Sequence, residues 1–195
     1  MQSMMLRSFV AVEIPAAIQA AIARSTADLQ KALPRPLVRW VAAQNLHLTL
    51  KFLGDVSPAN LEKLAEALKV EAARLAGFEL SVGGLGAFPT PRRPRVIWVG
   101  IEAPAALPAL QRSVEAVAAR MGYPPEERPF SPHLTLGRVG QNTSAADLAR
   151  VRAAVEATVV GPLGTARVEA LHIFKSDLQS SGSVYTHLYT LPFQS

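Results

Sequence analysis

The chain has 195 residues, of which 49% are hydrophobic and none is cysteine, with a formal net charge of +5. That length suits one well-cored domain; the missing thiols exclude disulfides, thiolate metal centres and cysteine nucleophiles, and no apolar run reaches the roughly 18 residues that cross a bilayer. Fifteen of the twenty Lys and Arg residues are arginine, whose planar fork suits phosphate and stacks on bases, so the charge leans toward a phosphate-bearing partner.

Met1 to Phe9 carries one Arg and no apolar stretch followed by a small-residue cleavage site, so no signal peptide is expected and the cytoplasm is the expected compartment. Arg7 to Ile14 alternates as a strand, and Pro15 opens a helix running to about Leu33, proline being tolerated in a first helical turn. After the Pro34-Arg35-Pro36 break, Val38 to Val41 reads as a short strand. Leu46 to Leu53 is a longer strand closed by Gly54, and Ser57 caps a helix with Pro58 at its first position and Leu61, Leu64, Leu68 and Leu75 on its buried stripe. Phe78 to Phe88 reads as a strand bulged around Gly83, Gly84 and Gly86. A loop from Pro89 to Pro94 leads to a strand from Arg95 to Ile101. Leu107 to Met121 is a helix stopped by Gly122, Pro132 to Val139 a strand, and Asp147 to Ala157 a helix. Two strands, Gly164 to Phe174 and Ser183 to Leu191, finish the chain around a Ser/Gly-rich turn. This order suggests two similar α+β halves.

One phrase is written twice: His47-Leu48-Thr49-Leu50 and His133-Leu134-Thr135-Leu136. Extended, HLTLKFLG and HLTLGRVG agree at five of eight positions. In a strand, residues two apart share a face, so each copy projects His and Thr together while its leucines enter the core. A single His-x-Thr is ordinary in a strand, because threonine is β-branched. Two copies in matching contexts, facing one another across a groove, supply two imidazoles and two hydroxyls. Imidazole titrates near 6.5, so one ring can act as base while its partner acts as acid, and the hydroxyls can donate to phosphate oxygens. That is the equipment for cleaving a phosphodiester, and the chemistry calls for no metal and no cofactor. No His/Asp/Glu cluster has ligand spacing, and no GxxxxGK[ST] loop signals ATP use.

Around the pair, Lys51 falls on the His47 face by alternation, either to meet phosphate or to snorkel as a lysine of the rim. Phe9 and Trp40 are candidates for a base-stacking platform, and Arg92, Arg93 and Arg95 for tracking an RNA backbone. His172 and His187 lack a threonine two residues on and read as structural.

The sequence resembles the two-histidine phosphoesterase superfamily, and within it the RNA 2′,3′-cyclic phosphodiesterases, also called 2′-5′ RNA ligases. The resemblance rests on FVAVEIP (9–15), VRWVAAQNLHLTLKFLG (38–54), FSPHLTLGR (130–138) and the tail around Phe174, Ser176, Leu178, Gly182 and Tyr185. It implies an α+β, bilobal, duplicated fold, with two antiparallel sheets lining a central groove and helices on their outer faces. The whole chain, 1–195, would then be one bilobal domain, a monomer with no membrane contact. It also implies hydrolysis of RNA ends or nucleotides bearing a 2′,3′-cyclic phosphate to a 2′-phosphomonoester, with His47 as proton donor, His133 as acceptor, Thr49 and Thr135 on the phosphate and Arg138 on the substrate. The residues alone leave the two histidine roles interchangeable. Run backwards, the same geometry joins a cyclic phosphate to a 5′-hydroxyl without ATP, although water at tens of molar favours hydrolysis. A phosphodiesterase of small nucleotides and a non-catalytic RNA-binding module are the competing readings.

Overall fold

The Ser57 hydroxyl accepts the Asn60 amide at 3.3 Å with Pro58 just inside the helix, and Ser144 accepts the Asp147 amide at 3.1 Å. The Ser57 cap begins its helix where the sequence places it, and the Ser144 cap starts the later helix two residues before the expected Asp147. In the computed structural model, which describes residues 5–179 and 182–194, the elements are β1 (Leu6–Glu13), α1 (Ala16–Ser25), α2 (Ala27–Ala32), β2 (Val38–Trp40), β3 (His47–Val56), α3 (Pro58–Ala72), β4 (Phe78–Thr90), β5 (Arg93–Glu102), α4 (Ala106–Arg120), β6 (His133–Val139), α5 (Ala145–Ala157), β7 (Pro162–Val168), β8 (Ala170–Gln179) and β9 (Gly182–Pro192). Two readings touch residues outside the described set: part of the N-terminal stretch (1–4) and the centre of the Ser/Gly turn (180–181). No described helix is long and apolar enough to cross a membrane.

Three departures from the expected elements have local causes. The first helix breaks in two at Thr26, whose hydroxyl bonds back to the Ile22 carbonyl at 2.9 Å, a competitor for the regular ladder. The expected loop from Pro89 to Pro94 is instead the end of a hairpin, with Pro89 opposite Pro94 and Thr90 opposite Arg93. Two opposed prolines ask no amide proton of each other, so the pairing survives them. The expected strand from Gly164 to Phe174 is two strands. The chain passes at Glu169 from pairing with β4 to pairing with β1, and unbroken extended sequence carries no signal of that change of partner. The expected bulge in β4 is present, with a register shift between Gly83 and Leu85 and Gly84 at φ 74°, a conformation that glycine adopts without a Cβ penalty.

Every strand pair within the sheet is antiparallel, in the order β7-β4-β5-β6-β3-β1-β8-β9, with β2 beside β6. The order divides evenly at its centre. β6, β5, β4 and β7 run outward on one side as β3, β1, β8 and β9 do on the other. These two half-sheets touch through one residue pair, Leu48 opposite Leu134. Helices α3 and α4 pack against the β3-side half, and α1 and α5 against the other. The duplication is therefore present, but the sequence halves and the half-sheets are not the same residues. β4, from the first half of the chain, pairs with β5, while β8 and β9, from the end of the chain, complete the half-sheet of β1. The main core lies between sheet and helices, and a small second cluster of Phe9, Ala11 and Phe174, with Tyr185 against it, lies on the opposite, groove-side face.

Candidate active site

The crossing of β3 and β6 positions the repeated phrases. Leu48 and Leu134 are 1% and 0% exposed and pair directly, which anchors both strands in the core. In antiparallel pairing, one step either way from that pair sets His47 beside Thr135 and Thr49 beside His133. The four side chains form the corners of one patch on the groove face, the two imidazoles on a diagonal of about 7–8 Å between Cβ atoms in a regular ladder. An interval of that order can admit a phosphate between the rings.

The two rings are held alike. Nδ1 of His47 lies 2.7 Å from the Asn45 carbonyl and Nδ1 of His133 lies 2.7 Å from the Ser131 carbonyl. A carbonyl only accepts, so in each ring Nδ1–H donates and Nε2 is the nitrogen left for chemistry. Aromatic neighbours fix the rings: Phe9 stacks on His47 at 4.6 Å and Tyr185 meets it edge-on at 5.0 Å, while Phe88 meets His133 edge-on at 4.9 Å. Burial pushes His47 down to about 4, against a partial offset from the Asn45 hydrogen bond. His133 is lowered too, chiefly by burial, with the Ser131 bond opposing and the Arg138 charge adding to the depression. Neither Nε2, nor the hydroxyls of Thr49 and Thr135, has a partner among the described residues.

Past the threonines both strands carry the same irregularity. Val10 pairs with Lys51 and Ala11 with Thr49, leaving Leu50 unmatched; Ile97 pairs with Gly137 and Trp98 with Thr135, leaving Leu136 unmatched. Such a bulge reverses the alternation. Lys51 consequently leaves the His47 face, contrary to the expectation from strict alternation. It is 6% exposed, with Nζ 2.8 Å from Glu115 and 2.6 Å from the Pro124 carbonyl, and it ties β3 to α4 rather than reaching phosphate. The groove face is taken over by Phe52, which is 61% exposed, and by its counterpart Arg138. Arg138 is exposed and stands opposite Arg39 of β2. Like charges facing across a ladder repel, and an anion between them relieves that cost. Phe52 and Arg39 were not among the sequence candidates. Recognising that HLTLKFLG and HLTLGRVG share a bulge was the signal that could have found them.

Other candidates fall elsewhere. Phe9 is 2% exposed; its ring underlies His47 and offers no open face to a base. Trp40 turns to the core side over Gly137, with Nε1 donating to the Leu33 carbonyl at 2.8 Å, so it too is no platform. Arg92 and Arg93 lie at the exposed tip of the β4–β5 hairpin, and Arg95 donates to the Gly140 carbonyl at 3.0 Å. His172 and His187 come together with Glu13 on the groove face, one donor atom of each within 4.8 Å of the others. Positions so far apart in the chain gave no spacing by which to foresee that group.

The LigT-like phosphoesterase family model matches residues 12–98 and again 99–185. The RNA 2′,3′-cyclic phosphodiesterase of Methanothermobacter thermautotrophicus is 34% identical over 185 residues, covering 95% of this chain and 97% of that protein. The Escherichia coli K12 protein of the same name is 41% identical over 133 residues, 68% of this chain and 71% of its own length. Among solved structures, E. coli LigT complexed with 3′-AMP superposes with a TM-score of 0.76 at 31% identity, over 98% of this chain and 99% of that one.

Proposed function

This chain belongs to the LigT-like phosphoesterase family, and we propose that it is an RNA 2′,3′-cyclic phosphodiesterase, acting as one bilobal domain on RNA ends or nucleotides. The mirrored pair of histidines carries the reading: each ring is tied through Nδ1 to the carbonyl two residues back, so two Nε2 atoms and two hydroxyls without a partner among the described residues flank the Leu48–Leu134 crossing. His133 takes the proton of a water whose oxygen attacks phosphorus. The bond from phosphorus to O3′ breaks, and His47 delivers its proton to that oxygen. The products are a 2′-phosphomonoester and a free 3′-hydroxyl. Thr49, Thr135 and Arg138 hold the non-bridging oxygens as charge grows on them.

The charges favour this division of labour over its reverse. Arg138 disfavours the imidazolium at His133, which suits a resting base. His47 has no such cation acting on it, and the negative charge of a bound diester draws a proton onto it. Once protonated, a ring this poorly solvated is a strong donor. The relatives bearing the phosphodiesterase name support the substrate class, and the exposed ring of Phe52 beside Phe9 (6.0 Å) supports a base stacked there.

The test is incubation with an RNA oligomer ending in a 2′,3′-cyclic phosphate, with the phosphate position in the product then identified. A 2′-phosphate is expected, with His47→Ala and His133→Ala each losing at least about 10²-fold in rate while retaining RNA binding. Because side chains fill every role, chelator is expected to leave the rate unchanged. Binding without turnover by the intact chain would overturn the proposal in favour of an RNA-binding module.

A further inference from the structure

We propose that Glu13, His172 and His187 form a binding site for a divalent transition-metal ion of the zinc type, on the groove face but outside the acid–base pair. The fold assembles it from three strands. Glu13 ends β1 opposite His47, His172 of β8 pairs with Ala11 of β1, and His187 of β9 pairs with Phe174 of β8. Since residues two apart on a strand share a face, Glu13 and His172 lie on the same side as Ala11 and Phe9. Nδ1 of His172 is 2.8 Å from Nε2 of His187, Nε2 of His172 is 3.8 Å from the Glu13 carboxylate, and the Thr190 hydroxyl is 3.2 Å from His187.

Two imidazoles and one carboxylate are a donor set for zinc and its neighbours, whereas magnesium and calcium call for a shell of oxygens. The close pair of ring nitrogens can share a single proton, which an entering ion displaces, and the exposed Glu13 side chain, nearer the other nitrogen of His172, swings round to complete the set. Two nitrogens bound to a tetrahedral zinc lie about 3.3 Å apart, so the rings need to part by roughly half an ångström. Packing allows this. His172 is 8% exposed and His187 stands edge-on to Phe174 at 5.1 Å, yet His187 is exposed on the outermost strand and the Glu13 side chain is 55% exposed. Glu13 and His172 also line a cleft of about 370 Å³ shared with Arg167 and Glu169, which gives an ion a route in and leaves space for water ligands. Bound there, the ion fastens β1, β8 and β9 to one another. The site stands independently of the activity proposed for His47 and His133, since neither ring belongs to it.

The experiment uses the untagged full-length chain, stripped with chelator and desalted, then titrated with Zn²⁺ against a chromophoric competitor and with Co²⁺ followed by visible absorption. One equivalent per chain is expected. His187→Ala and Glu13→Gln, both at exposed side chains and therefore expected to fold, should each weaken Zn²⁺ binding at least tenfold and diminish the Co²⁺ bands, while His133→Ala keeps the full equivalent. Absence of a stoichiometric site in the wild-type chain overturns the proposal. So does unaltered binding by both His187→Ala and Glu13→Gln, or loss of binding in His133→Ala, which would move the ion to the acid–base pair.

Discussion

At His133, burial and the Arg138 guanidinium both oppose the imidazolium, and only the Ser131 carbonyl favours it; at His47, burial takes the ring to about 4 against the opposing Asn45 hydrogen bond. Both free rings therefore titrate below their ordinary value near 6.5. A rate that needs one ring protonated and the other not traces a bell between the two macroscopic values of the pair. The maximum of kcat/KM is accordingly expected below pH 6.5, and that of kcat at higher pH, because a bound phosphate favours both imidazolium forms. Removing the cation in Arg138→Ala should raise KM and move the His133 limb to higher pH, an effect that Arg138→Lys should largely spare. The same burial links His47 to stability. Its folded value is depressed, so below pH 6.5 the unfolded chain takes up a proton that the folded chain refuses. Stability falls as pH drops from about 6.5 toward 4, by about 1.4 kcal/mol per unit over that window. Denaturant midpoints at pH 7.5 and 4.5 should separate more for the wild type than for His47→Gln.

The strand pairs around the patch carry their own costs. A Cβ at Gly86 would collide with the Trp98 ring, and Trp98 pairs with Thr135 and sits 6.3 Å from His133. Gly86→Ala is expected to lose about 1–3 kcal/mol through overpacking and to lower kcat by displacing the indole that backs His133. Thermal denaturation and steady-state kinetics on one preparation would show both. On the other strand, Lys51→Met strands Glu115, whose side chain is only 17% exposed, without its cation. A loss of about 3 kcal/mol is expected, recovered in part when Glu115 is replaced by Leu in the same chain. The bulges at Leu50 and Leu136 explain why alternation read from His47 places Thr49 correctly and Lys51 wrongly: the period of two holds only until a residue is inserted unpaired.

Across the whole molecule, the half-sheets exchange strands. β1 needs β8, contributed by the last quarter of the chain, and β4 needs β5 and β7. A fragment of residues 1–98 leaves β1 bonded on one side only and β4 with a truncated partner, and is expected to show no cooperative thermal transition. The complementary fragment 99–195 should fail likewise, and mixing the two should restore structure measurable by circular dichroism. Independent folding of either fragment would contradict that dependence. The repeated phrase suggests two similar halves, each a lobe. Only the strand order reveals that each half-sheet draws on both halves of the chain, because long-range pairing has no local signature in residues 162–192.

The sequence by itself determined the helix cap at Ser57, the burial of Leu48 and Leu134, and the delivery of His with Thr to one face. These follow from periodicity and capping, which act over a few residues. Tertiary structure decided which cations and aromatics surround that patch. It turned Lys51 away and brought Phe52, Arg138 and Arg39 forward, and it gathered Glu13, His172 and His187 from three strands. A bulge and a strand order depend on which segments pair, and pairing is settled by packing across the whole core.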